Sequence, residues 1–120
     1  MSSSVLVVDD DIQIGICLRR LLRGHDVQHA STGAQALTLL IAGGRYDVIF
    51  VDVGLTDMTG MELVKSVDRI AADQSAQIVF ITGGDTRAVS RQYPRHLVLE
   101  KPFDVAAVRA LADAALLPAA

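Results

Sequence analysis

Val48-Ile-Phe-Val51 is four apolar residues running straight into an acid, Asp52. A continuous apolar run, rather than an alternating one, suits a strand covered on both faces. The same kind of run recurs at Val5-Leu-Val-Val8, Ile78-Val-Phe-Ile81 and Leu97-Val-Leu99. A weaker run, Asp26-Val-Gln-His-Ala30, fits a strand near a sheet edge, where polar residues are tolerated.

Amphipathic segments separate these runs. Ile14, Leu18, Leu21 and Leu22 form one apolar stripe, and Ala36, Leu37, Leu40 and Ile41 another. Leu63, Val64, Val67 and either Ile70 or Ala71 form a third, and Val108, Leu111, Ala112 and Ala115 the last. Each stripe can lie on a sheet. Ser31 or Thr32, and Asp104, stand where helix N-caps are expected, while Gly24 and Gly43-Gly44 mark stops. The alternation predicts an α/β chain: a flavodoxin-like (βα)5 doubly wound parallel sheet in the order 2-1-3-4-5. No linker or repeat interrupts it, so residues 1–120 are expected to form one domain.

Composition supports that class. The chain has 120 residues, 51% hydrophobic and 21% charged, with only 4% aromatic and no Trp, so Val, Ile, Leu and Ala must build the core. A net charge of −3 argues against non-specific nucleic-acid binding. Cys17 has no partner for a disulfide, and its apolar surroundings predict a buried, inert thiol. No apolar run is long enough to span a bilayer, and Met1–Ser4 does not lead into a signal peptide. The expected location is the cytoplasm, with no membrane or nucleic-acid partner.

In a doubly wound sheet, ligands bind beyond the carboxyl ends of the strands, where the strand order reverses. The first strand here runs into Asp9-Asp10-Asp11, the third into Asp52, the fourth into Thr82-Gly83-Gly84 and the fifth into Lys101-Pro102. Crowded carboxylates repel unless a cation joins them. Oxygen ligands suit a hard ion such as Mg²⁺. An Asp carboxylate can attack phosphorus, and Lys and Thr can stabilise the transferring oxygens.

Val7-Val-Asp-Asp-Asp11, Val51-Asp-Val-Gly-Leu-Thr-Asp-Met-Thr-Gly60, Phe80-Ile-Thr-Gly83 and Glu100-Lys-Pro-Phe103 together resemble the signatures of response-regulator receiver domains, the phosphoacceptors of two-component signal transduction. The resemblance covers nearly the whole chain, in order. It implies that Asp52 becomes an aspartyl phosphate, taking its phosphoryl group from a histidine kinase or a histidine phosphotransfer protein. It implies that Mg²⁺ is held by Asp9, Asp10, Asp52 and the backbone carbonyl of Gly54. Thr82 matches the switch hydroxyl. Lys101 matches the lysine that serves the phosphoryl oxygens, and a structural ion pair is not expected of it. The Lys101-Pro102 bond is expected to be cis, as is common in the family. A receiver catalyses only its own phosphorylation and dephosphorylation and is not an enzyme in the usual sense.

Three positions depart from the family's pattern. Val98, at the switch position three before Lys101, replaces an aromatic residue. Residues 83–96 are short and carry few apolar anchors. Thr56 stands where proline is common. The expected consequence is a response routed through residues 83–96, with Tyr93 as a possible substitute ring.

Other polar residues have simpler expected roles. Asp11 reads as a helix N-cap and Asp57 as a loop or capping residue. His25, His29 and His96 read as surface histidines, and Arg87, Arg91 and Arg95 as a solvated row. The chief alternative function is a small phosphatase of the haloacid-dehalogenase type. Its motif needs a second acid where Gly54 stands, and its nucleophile belongs on the first strand. A second alternative is the receiver portion of a hybrid histidine kinase. With no output domain in view after Leu116, a single-domain regulator and a phosphorelay shuttle stay open beside it.

Overall fold

A computed structural model describes residues 3–84 and 86–114. Five strands alternate with helices: β1 (Ser4–Val8), α1 (Ile12–Leu21), β2 (Asp26–Ala30), α2 (Gly33–Ile41), β3 (Val48–Asp52) and α3 (Gly60–Ile70). Then follow α4 (Ala72–Ser75), β4 (Ile78–Thr82), α5 (Thr86–Gln92), β5 (Val98–Glu100) and α6 (Val105–Ala114). The strands pair in parallel, in the order β2-β1-β3-β4-β5. This is the expected doubly wound sheet, with the single turn of α4 added between α3 and β4.

Alternation along each strand divides the core in two. Leu6, Val8, Ile49, Val51, Ile78 and Phe80 face α2 and α3 through Ala36, Leu40, Leu63, Val64 and Val67. Val5, Val7, Val48, Phe50, Val79 and Ile81 face α1 and α6 through Leu18, Leu22, Val108 and Ala112. Helix ends follow local chemistry. Asp11 caps α1 by accepting from Gln13 N, and Thr32 caps α2 by accepting from Gln35 N. Thr59 and Glu62 form a reciprocal capping box at α3. Asp104 accepts from Ala106 N at the start of α6. Gly24 and Gly43 both adopt φ of 99°, a left-handed conformation that follows the helices they terminate.

Several expectations give way. Cys17 is exposed: α1 turns Gly15 and Leu18 inward, and residue 17 lies a hundred-degree step off that face. Ile41, at the last position of α2, is 71% exposed, and Ala71 is buried in preference to Ile70. Leu97 is exposed and precedes β5. Ala115 lies outside the described residues. Arg95 falls beyond α5, so the three arginines do not share one helix face.

The histidines are not simply surface residues. The His25 side chain is 11% exposed, accepting from Ser3 N through Nδ1 and contacting Asp113 Oδ1 at 3.1 Å. His96 packs edge-on against Phe80, with ring centroids 5.5 Å apart. Burial holds its proton affinity below the usual range, with the Asp68 charge pulling the other way. The third, His29, is bound to the main chain of Asp9.

Candidate functional site

The register brings the strand ends to one edge: Val8 pairs with Val51, Asp52 with Ile81, and Thr82 with Glu100. The residues at or just after those ends therefore meet. Asp9 is fully buried, Asp10 is exposed and Asp52 lies between. One carboxylate oxygen from each can be chosen so that all three lie within 4.8 Å of one another.

Asp9 Oδ1 accepts from Asp11 N at 2.9 Å. Its Oδ2 is buried and receives no directed hydrogen bond, although the Lys101 ammonium lies 3.0 Å away. The same ammonium is 3.8 Å from Asp52 Oδ2. Contrary to expectation, Lys101 is thus engaged in an ion pair with a buried acid. Its backbone N–H donates to Thr82 O, and the Lys101-Pro102 bond is cis.

Asp52 Oδ1 accepts from Gly54 N at 3.3 Å. Burial pushes the Asp52 carboxyl above the usual range and the Asp9 charge adds to this; Lys101 and the Gly54 amide oppose it, and Asp10 adds a little. Thr82 is buried, with its Oγ1 accepting from Gly84 N at 3.0 Å. Its hydroxyl proton is therefore not used in that bond.

These residues fit a hard divalent cation. The donors are all oxygen, the three carboxylates converge, and the buried Asp9 Oδ2 lacks a directed donor. Asp9, Asp10 and Asp52 could hold the ion, and the chain beside Asp52 is braced where Gly54 bridges Thr59.

Asp57 lies outside that cluster. Its two oxygens accept from Gly33 N and Ala34 N, each at 3.0 Å, so it caps α2 from the loop after β3. Those two amides hold its carboxyl below the usual range. Asp57→Ala should cost about 1 kcal/mol, roughly 4 °C of melting temperature in a domain of this size. With the folded value lowered, this contribution is present above the ordinary carboxylate range and fades as pH falls through the folded value. Melting curves of wild type and variant should therefore converge in acid. A constant gap down to that range would mean the carboxylate charge is not involved.

Val98 is half-buried and joins Val89 and Tyr93 against the α2–α3 side of the core. The Tyr93 ring lies 5.2 Å from that of Phe80. Sequence reasoning missed the bond from His29 to the Asp9 carbonyl, at 2.7 Å. Nothing local to residues 25–30 signals it, because it depends on the pairing of β2 with β1.

Comparison with known proteins agrees with this geometry. A family model described as "Response regulator receiver domain" matches residues 5–113. The DNA-binding transcriptional regulator NtrC of Azospirillum brasilense is 32% identical over 123 residues, covering 96% of this chain and 24% of that protein. The sensor kinase CckA of Brucella abortus is 28% identical over 110 residues, 87% of this chain and 11% of the kinase. The chain thus spans a quarter or less of these two relatives. Among solved structures, the chemotaxis response regulator CheY4 of Vibrio cholerae superposes with a TM-score of 0.80 at 29% identity, covering 97% of this chain and all of that one. The beryllofluoride-activated NtrC4 receiver domain dimer gives a TM-score of 0.80 at 27% identity, covering 92% and 93%.

Proposed function

This chain belongs to the response regulator receiver domain family, and we propose that Asp52 is its phosphoacceptor, served by Asp9, Asp10, Gly54, Thr82 and Lys101. The observation that carries the reading is the convergence of three carboxylates from two strands, with one ammonium 3.0 Å and 3.8 Å from two of them. The phosphatase alternative gains no support from these comparisons.

In the proposed reaction an Asp52 oxygen attacks phosphorus. The P–N bond to a donor phosphohistidine breaks, and the imidazole nitrogen keeps the electron pair. Mg²⁺ held by Asp9, Asp10, Asp52 and the Gly54 carbonyl would neutralise charge on the phosphoryl oxygens. Lys101 is close enough to Asp52 to meet one of those oxygens. Thr82 is placed to donate its hydroxyl proton to another after a rotation away from Gly84. The raised proton affinity of Asp52 describes the site without a cation, and a bound divalent ion would favour the nucleophilic carboxylate.

The proposed donor is a histidine kinase or a histidine phosphotransfer protein. No helix among the described residues is long and apolar enough to cross a membrane, in keeping with a proposed cytoplasmic site of action. The conformational response is proposed to run through residues 83–96: α5 buries no residue fully, and Val98 is too small to act as a swinging ring.

The test is incubation with Mg²⁺ and acetyl phosphate, followed by intact mass. Wild type should gain one phosphate and Asp52→Asn none. An adduct on the variant overturns the assignment. Hydrogen exchange with a beryllofluoride mimic should change protection within residues 83–96, and the change should survive Tyr93→Ala. Changes confined to the loops at Asp52 and Lys101 would exclude that segment as the switch.

A further inference from the structure

We infer that His29 is a positioning residue for the acidic cluster, its ring fixing the Asp9–Asp10 peptide so that both carboxylates reach the cation beside Asp52. The inference rests on the reading of the site given above. It concerns a side chain with no carboxylate, contributed by a strand that supplies none of the site residues.

The Asp9 carbonyl oxygen can only accept, so the His29 Nε2 that lies 2.7 Å away carries the proton and donates it. Asp9 is fully buried, and a buried carbonyl needs a partner. On its other side, Asp9 N donates to Ala30 O, the last bond from β1 to β2. β2 stops at Ala30, and Thr32, whose amide the parallel ladder would offer next, is already the N-cap of α2. The sheet ladder therefore ends where the Asp9 carbonyl would next need a donor. Among the described residues, the His29 ring is the donor that reaches it.

The position of that bond matters more than its existence. The Asp9 carbonyl belongs to the planar peptide joining Asp9 to Asp10. Fixing the plane fixes the last backbone rotation of Asp9 and the first of Asp10. Asp9 is held besides by its own Oδ1 bond from Asp11 N. Asp10 is exposed, and the orientation of this peptide decides where its carboxylate points.

Gly15 supplies an independent observation. It lies in the interior of α1, where glycine weakens a helix relative to alanine. A Cβ there would meet His29 Cγ at 2.8 Å and Nδ1 at 2.9 Å, closer than real contacts allow. The helix thus lacks a side chain where the ring sits, and a buried helical glycine calls for such a packing reason.

The test compares wild type with His29→Phe, which keeps a ring but no donor, His29→Gln, which restores an N–H, and Gly15→Ala, which displaces the ring. Mg²⁺ affinity is read by titration calorimetry, Asp52 phosphorylation by intact mass after acetyl phosphate, and folding by melting without metal. His29→Phe should weaken Mg²⁺ binding about tenfold, the lower end for a residue that orients a ligand, and slow phosphorylation in proportion. His29→Gln should recover most of both. Gly15→Ala should weaken Mg²⁺ binding in the same direction, and should add no further loss in a His29→Ala background.

Unchanged Mg²⁺ affinity and rate in His29→Phe, with only the melting temperature lowered, would overturn the inference and leave the ring a structural filler. Were His29→Phe not to fold, Gly15→Ala with wild-type affinity would overturn it equally. A wild type that neither binds Mg²⁺ nor takes phosphate would instead refute the underlying reading of the site.

Discussion

Replacing Lys101 with methionine should lower the melting temperature of the metal-free protein by about 10 °C. Asp9 has no exposed surface, and its Oδ2 receives no directed hydrogen bond, so the ammonium 3.0 Å away is its main compensation. Removing one partner of a buried pair typically costs about 3–5 kcal/mol, because the other charge is left stranded. The Lys101 side chain is 24% exposed, so solvent tempers the loss to roughly 2–3 kcal/mol. Two controls make the result specific. Asp9→Asn in the same background should restore most of the stability, since no buried charge is then left alone. Millimolar Mg²⁺ should do likewise by binding only the folded state. Even at saturating Mg²⁺, phosphorylation of the variant should be slower by on the order of a hundredfold, as for loss of one preorganised donor to a developing oxyanion. An unchanged melting temperature without metal would show that Asp9 is satisfied in some other way.

Asp52→Asn should do the opposite to the metal-free protein and stabilise it at neutral pH. Burial and the Asp9 charge raise the Asp52 carboxyl above its ordinary value. Between the unfolded and folded values, the folded protein holds a proton that the unfolded chain has lost. Stability therefore falls as pH rises through that window, and the full penalty persists above it. With an effective dielectric of about 20, each repulsion between carboxylates at such spacing is worth roughly 3 kcal/mol, most of which Lys101 offsets. The net gain for Asp52→Asn should be on the order of 1 kcal/mol, about 4 °C. Melting curves should show the variant ahead at neutral pH and the gap closing in acid, where wild-type Asp52 is protonated in both states. Mg²⁺ should reverse the order, because it stabilises wild type and finds one ligand fewer in the variant. A variant that melts below wild type at neutral pH without metal would mean that the carboxylates do not strain one another.

The two predictions divide one site between them. Lys101 makes a cluster of acids tolerable before any cation arrives, and Asp52 carries the strain that remains. The sequence shows the charges but not that division. Lys101 could be assigned to phosphoryl oxygens from its motif. Its ion pair with Asp9 depends on how deeply the first strand buries its last residues.

What the sequence determined by itself was the order of elements and which residues share an edge. Continuous apolar runs such as Val48–Val51 require cover on both faces, and parallel strands with helical crossovers then send Asp9, Asp52, Thr82 and Lys101 to the same end. Local capping was legible for the same reason: the signals at Asp11, Thr32 and Asp104 lie within a few residues of the amides they serve. Tertiary structure alone decided the rest. It turned Cys17 outward, set the Asp57 carboxylate on the start of α2 and brought the His29 ring to the Asp9 carbonyl across the space left by Gly15. The latter two pairings join residues more than ten positions apart through only one or two hydrogen bonds. Periodicity reports which face of an element is apolar; it carries no record of which distant side chain fills the last unpaired polar group.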